Sequence, residues 1–431
     1  MNIQIRLDKM IYGGKVLGRY NGKVVFVDAD GLEGELVDIQ VAQEKKDYIV
    51  GNILKVQEPS PQRVASICKY GQVCGGCQWQ HINYSAQLRF KEQILREQLV
   101  RIGGFKQPQV MPVIGMENPW GYRSRSRFIL KTVSNGFAMG FYQAETRNIV
   151  DIDYCHLSSL EMNEGYAAVR TAIAARLNKF HAHCAVEIKS FGDGVMVFFV
   201  TSPKFHLPLA EVAKELQGVP VIKGVHQLVV DKNQPAILET YFGQSIFTYS
   251  LEGLSFQAQP TSFFQINLNQ AQRLFSEALR LLLPQENQQI LDGHCGVGVL
   301  SLLAASQAKG VVGIDVATTS ISDAKKNSQI NGIKNVNFSC LSMEQAAGKG
   351  TFPQFDSVIL NPPRDGVEKY TLHWLLETKP ARIVYISCNP TTLSRDMKIL
   401  HQGGYLLTVV QPVDMFPQTY HVESIALLER E

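Results

Sequence analysis

No apolar run in the 431-residue chain reaches the roughly 18 residues that a membrane span needs. The first residues, MNIQIRLDKMIYGG, alternate apolar and polar side chains and lack the basic-then-apolar layout of a signal peptide. The expected location is therefore the cytoplasm, with no membrane contact. Biased tracts and repeats of solenoid period are also missing, which excludes fibrous and stacked-repeat architectures. Charge of one sign is scarce: 42 Lys and Arg stand against 39 Asp and Glu, a formal +3. Nucleic-acid binding does not follow from so small a net charge and has to be argued from where the charges lie.

What is present is a globular composition, 45% apolar and 19% charged, in a chain long enough for two to four domains at about 100–200 residues each. Residues 3 to 56 read as short strands separated by glycine turns, the pattern of a small β-barrel. QEPSPQR, with Pro59 and Pro61, reads as a linker. A loop with three cysteines follows, then an amphipathic helix that ends at Gly103-Gly104. Residues 120 to 250 are mainly strand-like. From about 260 strand and helix alternate, each buried strand ending in a loop, as in a doubly wound α/β sheet whose ligands sit at the carboxyl ends of the strands.

The loop LDGHCGVGVLSL follows the first of those strands. Gly296 and Gly298 there allow a tight turn and close approach of the backbone to a ligand at a helix start. Asp315 ends the next strand, where a carboxylate can take both ribose hydroxyls of a nucleoside. The third glycine-type position of a dinucleotide fingerprint holds Ser301, and no diphosphate partner is evident. S-adenosylmethionine fits better than a nicotinamide cofactor, and a dehydrogenase is the weaker reading. In NPPRDG, Asn361 and two prolines form a stiff turn that fixes polar groups over the sheet end.

Cys388 lies in IVYISCNPTTLSRD, where a hydrophobic strand breaks into Asn-Pro beside the same crevice. A thiolate there suits nucleophilic work. A thiolate at such a place can add covalently to an electrophilic ring, and a general base is needed where a proton must leave before the sulfur is expelled. Cys184, Cys295 and Cys340 read instead as small buried hydrophobes. Cys68, Cys74 and Cys77 form C-x5-C-x2-C, with Cys155 as a distant fourth; such a set suits tetrahedral zinc or an iron–sulfur cluster. In YRSRSRF, Arg123, Arg125 and Arg127 alternate and on a strand would share one face, either a phosphate-sized basic stripe or a solvated strand face.

NPPRDG, sixteen residues, IVYISCNPTT and then VDMFPQTYHVE resemble the signatures of the RNA uracil-C5 methyltransferases. Together with PTSFFQIN, the cysteines and the barrel, the likeness covers nearly the whole chain. It implies Cys388 as nucleophile and Glu423 as the base for the C5 proton. Gln265, His294, Gly296, Gly298, Asp315, Ser342 and Asn361 fall where the family lines its cofactor and base pocket. It also implies a [4Fe-4S] cluster on Cys68, Cys74, Cys77 and Cys155. The family's usual Leu-Phe is replaced by Gly293-His294, and its commoner Asp by Asn361, which keeps a carbonyl acceptor but loses a charge. His421 beside the base would assist it or pack.

The implied architecture is a TRAM-like, OB-like RNA-binding barrel at 1–58, a central α+β iron–sulfur domain at 59–250 and a class I (Rossmann-like) methyltransferase domain at 251–431. Barrel plus cluster resembles the branch acting on 23S ribosomal RNA. Transfer RNA is the alternative substrate, and no obligate protein partner is implied. A different class, a non-catalytic RNA-binding or assembly factor keeping the fold, would show itself by failing to bind S-adenosylmethionine.

Overall fold

Alternating side chains build the first layer of the molecule. The computed structural model describes residues 1–430 apart from 29, 135, 177–182, 193, 204–207, 232–233 and 350–353. Strands β1 (Asn2–Met10), β2 (Val16–Tyr20), β3 (Lys23–Val27), β4 (Leu36–Glu44) and β5 (Tyr48–Glu58) close into a barrel in the order β1-β2-β3-β5-β4. Ile3, Ile5 and Leu7 turn inward while Asn2, Gln4 and Arg6 face water, the period-2 rule of a strand with one buried face. Past the linker, Arg63 pairs with the buried Glu35 carboxylate at 2.5 Å and ties the chain back to the barrel.

Helix α1 (Tyr84–Arg101) starts where the Asn83 side chain accepts from the amide of Ala86, and it ends just before Gly103-Gly104, as the sequence predicts. Its first half gives Ala86, Phe90 and Ile94 to the barrel core, together with Trp79 and Ile82. Leu95 and Leu99 belong to a different core, beneath the C-terminal sheet. One helix thus joins the first and last parts of the chain.

The middle of the chain forms a seven-stranded sheet from β6 (Arg125–Val133), β7 (Gly136–Tyr142), β8 (Ile149–Asp151), β9 (His183–Ser190), β10 (Val195–Thr201), β11 (Ile222–Asp231) and β12 (Gln234–Gly243). Its order is β12-β11-β10-β9-β6-β7-β8. Helices α2 (Leu160–Ala174) and α3 (Leu209–Leu216) cover it, where the sequence suggested mainly strand. The reason for α2 lies in Ser159, which caps it, and in the helical spacing of Met162, Tyr166, Val169 and Ile173, all buried on the sheet. A hairpin, β13 (Phe247–Leu251) and β14 (Leu254–Ala258), then leads to α4 (Leu268–Leu282).

The remaining elements are β15 (Gln289–Gly293), α5 (Val299–Ala305), β16 (Gly310–Asp315), α6 (Thr318–Ile330), β17 (Val336–Cys340), α7 (Met343–Lys349), β18 (Ser357–Leu360), α8 (Lys369–Thr378), β19 (Arg382–Ser387), α9 (Pro390–Gln402), β20 (Tyr405–Val413) and β21 (Glu423–Arg430). The sheet order is β17-β16-β15-β18-β19-β21-β20. Both of its faces are buried, as its near-continuous apolar strands require. Ile290, Val311, Ile359 and Val384 pack under α4 and α5, whereas Leu291, Ile314, Val358 and Tyr385 pack under α8, α9 and the end of α1. The first five strands are parallel, and Gly293 of β15 pairs with Ile314 on one side and Leu360 on the other. Strand order reverses there, so the crevice at the carboxyl ends of β15 and β18 is the expected ligand site. The pair β20 and β21 departs from the strand–helix rhythm: β21 runs antiparallel to both β19 and β20. Among the described residues, no helix is long and apolar enough to cross a membrane.

Candidate active site

Five parallel strands end at one rim, and the loops leaving them, with the segments before α4 and before β21, line a cleft of about 780 Å³. Cys388 follows the last residue of β19. The turn is sharp because Asn389 accepts from the amide of Thr391 as the cap of α9, and Pro390 sets the first helical turn. The thiol is thereby held at the junction of a strand end and a helix start. Antiparallel pairing brings the beginning of β21 to the same place: Ser387 pairs with Ser424, and Glu423 is the next residue outward, beside Cys388.

The NPPRDG loop is clamped onto this turn. The Arg364 carbonyl accepts from Asn389 Nδ2 at 3.0 Å and from Thr392 Oγ1 at 3.1 Å. Asp396 Oδ2 accepts from the Val367 amide at 2.9 Å and from the Tyr385 hydroxyl at 2.6 Å. Arg364 consequently projects its charge at the pair. Burial and the neighbouring Glu423 raise the Cys388 thiol above its ordinary range, while Arg364 draws it back down. Burial lifts Glu423 to about 8, again against the pull of Arg364. His421 lines the same cleft and is pushed down to about 4 by burial and by the cations Arg364, Lys91 and Arg123. It is neutral near pH 7, packed edge-on against Phe416 and tilted against Tyr420.

Gln265, His294, Gly296, Asp315, Ser342 and Asn361 line the cleft together with Cys388 and Glu423. Asp315 accepts from the amides of Gly296 at 2.9 Å and Ala317 at 2.8 Å, which fixes the glycine turn to the end of β16. His294 has a left-handed backbone, φ +65°, and its half-buried ring leaves Nδ1 without a hydrogen-bond partner. Gly298 is outside the lining. It caps α5 at φ +85°, and a Cβ there would come within 2.9 Å of Phe338 Cζ, so its part is to bring helix and sheet together.

Among the lining residues that the sequence reading did not single out, two bear on the chemistry. Asp292 is buried in the cleft wall, Oδ2 accepting from Ser301 Oγ at 2.5 Å and Oδ1 lacking a partner. Burial raises it to about 7. Arg364 is the other. The signal for both was their place in motifs already noted, LDGH and NPPRDG, at the carboxyl ends of β15 and β18.

Cys68, Cys74, Cys77 and Cys155 all line a second, smaller pocket of about 50 Å³, with Gly76 and Arg123. All four are free thiols. Among the described residues no group of three or more His, Cys, Asp or Glu side chains is placed to hold a metal ion, so the expected cluster site is not formed here by the four thiols as they stand. Burial pushes Cys77 up to about 12 and raises Cys68 and Cys74. Of the other cysteines, Cys184 is buried and Cys295 packs on a core, but Cys340 is exposed at the end of β17 and is no core residue. The arginine stripe is divided: Arg123 precedes β6 and lines the cysteine pocket, Arg125 pairs with Glu187 at 2.9 Å, and of the three only Arg127 is exposed.

The family model of the tRNA (uracil-5-)-methyltransferases matches residues 83–431. An uncharacterized RNA methyltransferase of Halalkalibacterium halodurans is 32% identical, the match covering 99% of this chain and 96% of that protein. One of Gloeobacter violaceus is 34% identical with the same coverage. Among solved structures, that of the Pyrococcus abyssi tRNA (uracil-54, C5)-methyltransferase in complex with S-adenosyl-L-homocysteine is similar over 98% of this chain and 99% of that one, with 28% identity and a TM-score of 0.76.

Proposed function

The chain belongs to the RNA uracil-C5 methyltransferase family, and on that premise we propose that it methylates C5 of a uracil through a covalent bond between Cys388 and C6 of the base. The pairing of β19 with β21 carries this reading, since it sets a thiol and a carboxyl side by side in the cleft.

S-adenosylmethionine, when bound, supplies an electrophilic methyl group. The orphaned Asp292 Oδ1 and His294 Nδ1 are groups a polar ligand would satisfy, so the cleft fits such a cofactor. Gln265, His294, Gly296, Asp315, Ser342 and Asn361 would hold it, with Gly298 shaping the loop. Cys388 gives up its thiol proton to solvent and, as thiolate, adds its sulfur to C6, moving the C5–C6 electron pair towards C5 and O4. That pair takes the methyl group. Glu423, as carboxylate, removes the remaining proton from C5; the electrons left behind re-form the C5–C6 double bond and expel the Cys388 sulfur. Arg364 stabilises the anionic forms of both side chains. His421, being neutral, acts as a packing and hydrogen-bonding group.

The same reading divides the chain into a TRAM-type RNA-binding barrel at 1–58, an α+β domain at 59–250 and the methyltransferase domain at 251–431. It also assigns a [4Fe-4S] cluster to the second pocket, on the ground that four thiols line it and Arg123 Nε lacks a partner beside ligands that would be anionic; the thiols would have to draw together to hold it. The cluster would order the surrounding loops; the methyl transfer itself needs no electrons.

The substrate is a uracil in 23S ribosomal RNA, flipped from its stack to reach Cys388. Transfer RNA is the second reading, favoured by the end-to-end likeness to a tRNA enzyme. Tritium at uracil C5 tests the reaction and the substrate together. The protein with S-adenosylmethionine should release tritium to water from ribosomal RNA and leave 5-methyluridine. Release from transfer RNA alone selects the second reading, and no release from either RNA overturns uracil C5 chemistry.

A further inference from the structure

The segment from Asp414 to Gln418 joins β20 to the loop that ends at Glu423, and five consecutive carbonyls of it are taken by donors from elsewhere in the chain. Asp414 O accepts from Gln270 Nε2 at 3.1 Å and Met415 O from Asn267 Nδ2 at 3.1 Å. Phe416 O accepts from Lys91 Nζ at 3.1 Å and Pro417 O from the Tyr122 hydroxyl at 3.1 Å. Gln418 O accepts from the amides of Gln78 at 3.2 Å and Trp79 at 3.0 Å, the two residues after Cys77. Gln87 closes the end, accepting from the Gln418 amide and donating to its side chain, both at 2.9 Å.

The start of the segment is held more firmly still. Lys91 and Asp414 form a fully buried ion pair at 2.6 Å, and Tyr84 donates to the other Asp414 oxygen at 2.9 Å. A segment so fastened cannot slide without leaving several buried acceptors unpaired. Ordinary connections run over the surface and need no such capture. None of these donors except Gln270 and Asn267 comes from the part of the chain that makes the C-terminal sheet; the others come from α1, the cysteine loop and Tyr122.

We infer that Lys91, Tyr122 and the pair Gln78 and Trp79 are positioning residues for the base: they hold 414–418 so that Glu423 meets C5 after methyl transfer. This inference rests on the proposed function. It assigns the cysteine loop a mechanical link to one defined step, proton removal, and not to nucleophilic addition. Cys388 is fixed by the caps of α9 and by the NPPRDG loop, and α1 reaches α9 only beyond Lys91, where Thr391 donates to Gln98.

The test separates the two steps. With ordinary uracil RNA and S-adenosylmethionine, wild type resolves its covalent adduct, whereas Tyr122→Phe and, more strongly, Lys91→Met should accumulate it. Turnover should fall about 10- to 100-fold in Lys91→Met, the scale of an ångström's misplacement. Adduct formation on 5-fluorouracil RNA, which needs no base, should stay within about twofold of wild type, since the groups that fix Cys388 are untouched. Amide hydrogen exchange in the isolated proteins should quicken across 414–423 and not in α9. Variants that resolve the adduct like wild type, or that lose adduct formation in proportion to turnover, overturn the inference, as does unchanged exchange at 414–423. Tyr122→Phe removes one hydroxyl only and decides the matter if Lys91→Met fails to fold. If wild type traps no RNA at all, the proposed function fails, while exchange still reports the link.

Discussion

Glu423 carries a carboxyl group into a cleft wall where burial holds it protonated to about pH 8. Its ordinary value is 4.5, so between about 4.5 and 8 the folded chain binds a proton that the unfolded chain has released. Folding stability therefore falls as pH rises through that window, by about 1.4 kcal/mol per unit at most. Glu423→Gln should unfold at a higher temperature than wild type at pH 8.5, with the difference vanishing near pH 4. The same titration has the opposite effect on turnover, because only the carboxylate accepts a proton. Single-turnover resolution of the adduct should rise with pH through about 8, and a profile flat from pH 6.5 to 9 would contradict the assignment of Glu423 as base. Cys388 was legible because its motif is read directly from sequence. Arg364 and Asp292 were not, since their effect comes from burial and from what the fold brings near them.

Strands and loops determine which of these residues meet. Most of the parallel strands were legible because they are short, largely apolar runs that end in, or just before, glycine or a polar residue; β17, VNFSC, is the exception. The antiparallel β20 and β21 were hidden: nothing local in VDMFPQTYHVE says that the chain reverses and lays Glu423 against β19. Helices α2 and α3 were likewise lost among strand-like neighbours such as VMVFFVT, although α2 runs for 15 residues. At Gly298 the element makes its own demand. Its φ of +85° and the nearness of Phe338 and Ala324 leave no room for a side chain. Gly298→Ala should cost about 1–3 kcal/mol of stability in chemical denaturation and weaken S-adenosylmethionine binding by displacing the turn at Gly296. An unchanged midpoint would remove the packing role.

Across the whole molecule the active site depends on parts far apart in sequence. The barrel shares its core with Trp79, Ile82, Phe90 and Ile94, and its first turn touches the loop before Glu423. Tyr12 meets Tyr420 edge-on at 6.1 Å, and Gly14 lies so close that a Cβ would stand 2.8 Å from Tyr420 Cδ1. Removing residues 1–58 should do more than weaken RNA binding. It uncovers Trp79 and Phe90, so the truncated chain should melt at lower temperature or aggregate; equal thermal stability would make the barrel an independent appendage. The order barrel, cysteine loop, sheet could be read from the sequence. Their mutual burial could not, because it rests on long-range contacts such as Lys91 with Asp414. The central claim, a covalent bond from Cys388 to uracil, is tested most directly by trapping it. The protein is incubated with S-adenosylmethionine and RNA containing 5-fluorouracil, where fluorine at C5 cannot leave as a proton, and is then denatured. A denaturation-resistant protein–RNA complex that disappears in Cys388→Ala is the predicted result; a complex that persists in that variant, or none in wild type, would contradict the account.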